Sequence, residues 1–223
     1  MLTDRDGASL GSVVDEITAV HGVDCVISGS GDVSADSDRR SVVNTIVGAW
    51  GGIDVLVNNA GISRVSSARS DDPTFGRHWE ETLAVNVSAH AHMIRLALPW
   101  LLEAPNGGRV VNIASTEAIV ATAGLAAYTA SKHAVIGLTK SFAVELGRSG
   151  VTVNAVCPGP ILTGMTAGIP EESRAKYARR RVPLGRYGQP EEVAHVTLSL
   201  CLPASSFVNG ATVVVDGGMS VNH

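Results

Sequence analysis

The feature that most constrains this chain is a series of short, nearly uninterrupted apolar runs that alternate with amphipathic stretches. Residues 53–57 (Ile-Asp-Val-Leu-Val), 109–114 (Arg-Val-Val-Asn-Ile-Ala), 151–157 (Val-Thr-Val-Asn-Ala-Val-Cys) and 211–215 (Ala-Thr-Val-Val-Val) are rich in β-branched residues and too short for helices. Each predicts a buried strand. A further run, 24–28 (Asp-Cys-Val-Ile-Ser), reads the same way and stops at Gly29, Gly31 and Asp32. Between the runs, apolar residues recur at helical spacing. Leu10, Val13, Val14, Ile17 and Val20 place a helix over 7–21, and Val42, Val43, Ile46 and Val47 place one over 36–50. Further helices are predicted over 79–102, 126–147, 171–181 and 190–201, with a polar loop through Asp72-Pro73 before the first of these. Strands buried on both faces and alternating with helices predict an α/β fold, a doubly wound parallel sheet. No linker, repeat or low-complexity stretch divides the 223 residues, so residues 1–223 read as a single domain.

Composition narrows the function classes. At 45% hydrophobic and 17% charged residues, the chain is too apolar to be disordered. A balance of 17 basic against 21 acidic side chains argues against a nucleic-acid partner. Cys25, Cys157 and Cys201 form neither a zinc spacing nor a disulfide framework, which fits a reducing compartment. No apolar run reaches the length of a membrane span, and the N-terminus lacks the apolar stretch of a signal peptide. The expectation is a cytoplasmic protein with no metal site.

In a sheet of this kind ligands bind at the carboxyl ends of the strands. That rule selects Asp32-Val33, Asn58 to Gly61, Ala114-Ser115 and Pro158-Gly159. Tyr128 and Lys132 stand one helical turn apart, so they share a face. An ammonium beside a phenol favours the phenolate, which would let Tyr128 exchange a proton with a substrate oxygen. The same pair also fits two surface residues one turn apart. Ser115 lies thirteen residues before Tyr128 at a strand end. It either holds a carbonyl oxygen or caps a turn. Asn86 sits inside an apolar helix, where Asn is a poor helix former. It holds a water, opens a local bend, or lies on a solvated face. The small residues of Asn58-Asn59-Ala60-Gly61 let a ligand approach the backbone, and the Asn side chains could pin neighbouring strands or make a plain turn.

Taken together these pieces resemble the short-chain dehydrogenase/reductase family. The matching residues are Asp32-Val33, Asn58-Asn59-Ala60-Gly61, Asn86, Ser115, Tyr128-x-x-x-Lys132, Asn154-Ala155-x-x-Pro158-Gly159-x-x-x-Thr163, Pro183-Leu184-Gly185-Arg186 with Gln189-Pro190-Glu191-Glu192, and Val215-Asp216-Gly217-Gly218. They follow the family's order and span residues 32 to 218. The resemblance implies a Rossmann-type sheet and hydride transfer between a nicotinamide cofactor and a secondary alcohol or ketone. It makes Tyr128 the acid/base and Ser115 the group that positions the carbonyl. Lys132 then binds the ribose and lowers the Tyr128 pKa, and Asn86 holds a relay water. It places Asp32 and Val33 at the adenine and Asn59, Ala60 and Gly61 along the adenosine ribose and phosphates. Pro158, Gly159, Ile161 and Thr163 fall around the nicotinamide. It also implies a homo-oligomer, a dimer or tetramer built on the helices near 80–102 and 126–147. Their Ala89, Ala97, Ala126, Ala127 and Ala134 would allow close approach or simply pack on the sheet.

The resemblance departs at the N-terminus. Members open with a strand, a Gly-rich turn (Thr-Gly-x-x-x-Gly-x-Gly) and a helix, which set the pyrophosphate on a helix N-terminus. The nearest glycines, Gly7 and Gly11, follow Asp4-Arg5-Asp6 without a preceding strand. Residues 1–6 resemble the end of the family's second strand, where an acid binds the adenine-ribose hydroxyls and implies NAD over NADP. Asp4 fits that place, or caps the next helix, and Arg5 offsets the preference. The expectation is that about 30 residues, the first βα unit, are missing through an incomplete coding sequence or start-site assignment. That strand lies mid-sheet, so its loss would leave unpaired backbone and an open core. Two readings follow: an NAD(P)-dependent alcohol dehydrogenase or carbonyl reductase of the 3-oxoacyl-carrier-protein reductase type, or a non-catalytic subunit of the same fold. Arg179-Arg180-Arg181 could meet a phosphate-bearing acyl carrier or be a solvated helix face. His90 and His92 point to different sides of one helix, and Cys157 reads as a small buried apolar residue.

Overall fold

The computed structural model describes residues 1–222. Strands and helices alternate in the predicted manner: β1 (Leu2–Asp4), α1 (Gly7–His21), β2 (Ser28–Ser30), α2 (Asp36–Trp50), β3 (Val55–Asn58), α3 (Asp72–Leu83), α4 (Ala89–Glu103), β4 (Arg109–Ile113), α5 (Ala126–Leu146), β5 (Thr152–Pro158), α6 (Gly164–Ala167), α7 (Glu171–Arg181), α8 (Pro190–Cys201) and β6 (Thr212–Val215). All strand pairs are parallel. Two differences from the sequence reading stand out. The strand expected at 24–28 lies at Ser28–Ser30, because Val23–Cys25 coils into a 3-10 turn and Leu2 pairs with Ser28. The helix expected over 79–102 starts at Asp72, where Asp71 accepts from the Thr74 N–H and Pro73 occupies the first turn.

The parallel strands form two sheets, β1-β2 and β3-β4-β5-β6. Alternation puts neighbouring residues on opposite faces. On one face Val110 and Val153 pack with Val43 of α2, Ile94, Ala97 and Leu101 of α4, and Ala143 and Leu146 of α5. On the other, Val111 and Val156 pack with Leu200 of α8. β4 and β5 are therefore covered on both sides, as expected. β3 is not: its Leu56 packs inward, while Val55 and Val57 are 40% and 41% exposed. These residues and the β1 residues Leu2, Thr3 and Asp4 line one cavity of about 560 Å³. Among the described residues no strand lies between β1 and β3, where the resemblance implies one.

Two buried side chains fix the strand ends that matter for function. Asn58 Nδ2 donates to Asn112 Oδ1 (2.9 Å), and Asn112 Nδ2 donates to Thr139 Oγ1 of α5 (3.0 Å). The pinning of neighbouring strands anticipated at Asn58 thus locks the ends of β3 and β4 to the helix that carries Tyr128 and Lys132.

Candidate active site

The carboxyl ends of the strands gather most of the candidate residues, in two groups. The first surrounds α5. Tyr128 and Lys132 stand on its first turns, and Lys132 Nζ lies 5.6 Å from the centre of the Tyr128 ring. Lys132 is 3% exposed and gives one of its three N–H donors to the Ile113 carbonyl at the end of β4 (2.9 Å). Burial lowers its pKa to about 8, with Cys157 acting in the opposite direction, so it remains cationic at neutral pH. Ser115 lies two residues past the end of β4, and its Oγ accepts from the Glu117 N–H (3.1 Å). The capping anticipated for this serine is present, yet its side chain also acts on the Tyr128 phenol.

The Tyr128 phenol behaves differently from the sequence expectation. Burial pushes its pKa up, hydrogen bonding with the Ser115 side chain pulls it down, and the Glu117 carboxylate raises it again. The net direction is upward, because removal from water outweighs the favourable neighbours. The lowering expected from Lys132 does not prevail.

Asn86 is wholly buried, which excludes the solvated face. It sits in a π-helical turn, Ala84–Ser88, that separates α3 from α4, so the anticipated bend is present. Its Oδ1 accepts from the Ile62 N–H (2.9 Å), and its Nδ2 donates to the Ile62 carbonyl (2.9 Å) and Ser131 Oγ (3.0 Å). Asn86 therefore ties the loop after β3 to α5. Gly61 lies against both groups: a Cβ built on it would stand 3.5 Å from Asn86 Oδ1 and from Lys132 Nζ, in van der Waals contact with each.

The second group lies in the cavity between β1 and β3, which Asn86, Ser115, Tyr128 and Lys132 do not line. Asp4, Arg5, Asp32, Val33, Asn59, Ala60 and Gly61 all line it. Arg5 Nη1 lies 3.7 Å from Asp32 Oδ2, and both side chains are partly exposed. Capping of α1 falls to Asp6, which accepts from the Ala8 and Ser9 N–H groups, and not to Asp4. The Asp4 and Asp32 carboxylates are acceptors of the kind that the hydroxyl and amino groups of an adenosine need, and Gly61 borders both this cavity and Lys132.

The remaining candidates are partly structural. Pro158 closes β5, and a Cβ on Gly159 would fall 2.6 Å from Asp216 Cβ, so that glycine is required for the close approach to the segment after β6. Ile161 bridges to Gly188, and Thr163 caps α6 with Thr166 as its reciprocal partner. Ala89, Ala97 and Ala127 are buried within the chain, whereas Ala126 and Ala134 are exposed. Cys157 is fully buried, as expected. The sequence reading missed two residues of this region. His90 follows Asn86 by one turn on the buried side of α4, with His92 exposed on the other. Burial and then the Lys132 charge lower its pKa to about 4. Glu117 is 9% exposed, two residues after Ser115. The spacing from Asn86 and Ser115 was the available signal, and its weight depends on burial that spacing alone does not reveal.

Known proteins resemble this chain in sequence and fold. A family profile described as enoyl-(acyl carrier protein) reductase matches residues 1–220. The 3-oxoacyl-[acyl-carrier-protein] reductase of Thermotoga maritima is 40% identical over 190 residues, covering 83% of this chain and 74% of that protein. The D-beta-hydroxybutyrate dehydrogenase of Cupriavidus necator is 34% identical, covering 84% of this chain and 75% of its own length. A solved gluconate 5-dehydrogenase from Burkholderia cenocepacia, in complex with NADP and tartrate, superposes with a TM-score of 0.88 at 26% identity, covering all of this chain and 85% of that one. A parallel sheet with these motifs at its strand ends, matched over nearly its whole length, places the chain in the short-chain dehydrogenase/reductase family, as an NAD(P)-dependent oxidoreductase of carbonyl and alcohol substrates.

Proposed function

We propose that Tyr128 is the acid/base of this oxidoreductase, with Ser115, Lys132 and Asn86 completing the site. The observation that carries this reading is the buried Lys132 ammonium, held beside the Tyr128 ring with a single backbone carbonyl as its hydrogen-bond partner. Burying a cation so sparsely partnered opposes stability, and such groups cluster at functional sites. When bound, the nicotinamide supplies a hydride to the substrate carbon or takes one from it. The protein's part is to place the oxygen and move the proton. Ser115 Oγ donates a hydrogen bond to the carbonyl oxygen and orients it toward Tyr128. The phenol, held protonated by burial, gives its proton to that oxygen as negative charge develops there. The Lys132 cation stabilises the phenolate that remains. Asn86 Oδ1 and Lys132 Nζ both lie beside Gly61, and in this proposal a water between them carries the returning proton.

The remaining candidates extend this reading to the cofactor. Asp32 and Val33 flank the adenine, Asn59, Ala60 and Gly61 the ribose and phosphate path, and Pro158, Gly159, Ile161 and Thr163 the nicotinamide. Asp4 accepts the adenine-ribose hydroxyls, and the engagement of Arg5 by Asp32 leaves it less available to a 2′-phosphate. This favours NAD, with NADP as the alternative. The substrate class is a 3-oxoacyl ester or thioester, on the strength of the relatives. The exposed Arg179-Arg180-Arg181 run on α7 is suited to the phosphate of a carrier. We further propose a homo-oligomer and a cytoplasmic setting. The non-catalytic alternative rests on one observation, the division of the sheet between β1 and β3.

The test is an assay of ethyl acetoacetate, an acetoacetyl thioester and simple ketones with NADH and with NADPH. Saturable binding seen in nicotinamide fluorescence and turnover of at least one carbonyl are expected. Turnover of none, with no saturable binding of either cofactor, would overturn the proposal in favour of the non-catalytic one.

A further inference from the structure

Glu117 is a buried carboxylate that the proposed chemistry does not use. It follows β4 in a 3-10 turn, Thr116–Ala118, only two residues after Ser115. Both of its oxygens are engaged: Oε2 accepts from the Thr122 N–H (3.1 Å) and from Thr129 Oγ1, and Oε1 accepts from Thr122 Oγ1 (2.5 Å). Its own N–H donates to Ser115 Oγ. Thr129 is the neighbour of Tyr128 on α5, and Thr122 lies in the loop that leads into that helix. One side chain therefore bridges the Ser115 turn, the loop at 119–125 and the first turn of α5. Its partners are all hydroxyl or N–H donors, and among the described residues no cation forms an ion pair with it. Three donors hold the carboxylate in place without a counter-ion.

We infer that Glu117 is a positioning residue: its carboxylate clamps the Ser115 turn to the start of α5, and its charge biases the Tyr128 phenol toward donating a proton rather than accepting one. The inference rests on the acid/base role proposed for Tyr128. Ser115 and Glu117 after β4 act on the phenol, Lys132 on α5 lies beside its ring, and Cys157 on β5 and His90 on α4 interact with Lys132. His90 is neutral near pH 7, and Cys157 is a buried thiol whose pKa is pushed up by burial. Lys132 and Glu117 are thus the opposing charges. The Lys132 cation favours the phenolate and the Glu117 anion disfavours it. With burial acting in the same sense as Glu117, the phenol is poised for carbonyl reduction, in which it must begin protonated.

The chain has three tyrosines, Tyr128, Tyr177 and Tyr187, so tyrosinate absorbance reads Tyr128 directly once the titration of a Tyr128→Phe variant is subtracted. The comparison needs neither substrate nor cofactor. Glu117→Gln, recorded against its own Tyr128→Phe double variant, is expected to move the Tyr128 midpoint to lower pH by roughly one unit. Glu117→Asp, which keeps the charge, is expected to move it much less. Far-UV dichroism at each pH establishes that the fold is retained. Should the amide variant not fold, the smaller neutral Glu117→Ser carries the same expectation. A midpoint unchanged in the neutral variant, or moved equally by Glu117→Asp, overturns the inference. If Tyr128→Phe instead keeps wild-type turnover, the acid/base reading itself fails, whatever the titration shows.

Discussion

His90 and Glu117 show what single residues contribute beyond the recognisable motifs. Tyr128, Lys132, Ser115 and Asn86 stand out in the sequence because the roles proposed for them rest on spacing along one helix, a strand end or an Asn within an apolar helix, which sequence displays directly. His90 and Glu117 were not, since each matters only through burial created by distant segments. His90 Nε2 faces the Ala60 carbonyl at 3.4 Å, and its Nδ1 has no partner among the described residues. Its pKa of about 4 makes the native state reluctant to take a proton that the unfolded chain accepts near 6.5. Between those values the unfolded state binds more protons, so stability falls as pH drops from about 6.5 toward 4. The loss from this residue reaches about 3 kcal/mol once both limits are passed. Denaturant titrations across that range are expected to show this dependence in the wild type and a smaller one in His90→Gln. An identical pH dependence in both proteins would contradict the assignment.

At the level of elements, the π turn at Ala84–Ser88 is the most consequential departure from the sequence reading, which drew one continuous helix from 79 to 102. Apolar periodicity cannot reveal one extra residue in a turn, though an Asn amid Val and Ala residues was a hint. The turn presents Asn86 to both Ile62 and Ser131, and so couples the loop after β3 to α5. Asn86→Ala strands the Ile62 N–H and carbonyl, and leaving buried polar groups unpaired costs about 1–3 kcal/mol each. A lowered thermal midpoint and a loss of turnover larger than the loss of folded protein are expected. A variant of wild-type stability and activity would contradict this coupling. The displacement of β2 was illegible for a different reason. Its three residues are set by pairing with β1 and not by their own composition, Ser-Gly-Ser.

Across the whole molecule, alternation of apolar runs and helices was enough to read the parallel α/β architecture, and the strand-end rule selects the site proposed here. The division into two sheets follows from the order of pairing, which periodicity does not encode, although the resemblance had raised it. It has a physical consequence. β3 to β6 form a sheet whose central strands are buried on both faces, while β1 and β2 pair only with each other, and α1 buries only Leu10 fully. A two-stranded sheet is marginal by itself. Amide exchange is therefore expected to be markedly faster over residues 1–30 than over β4 and β5, and slower in residues 1–30 when dinucleotide is added, because Asp4 and Asp32 line the cavity. Uniform protection across the chain, unaffected by dinucleotide, would contradict this picture.

The central claim, that a tyrosine with a buried lysine beside it carries the proton in a nicotinamide-dependent reaction, is tested most directly by turnover of Tyr128→Phe measured alongside its cofactor affinity. Removing the phenolic hydroxyl leaves the ring, its packing and Lys132 in place. The predicted result is a fall in turnover of about 10²-fold or more with cofactor binding little changed. Turnover near the wild-type level, with the same affinity, would contradict the account.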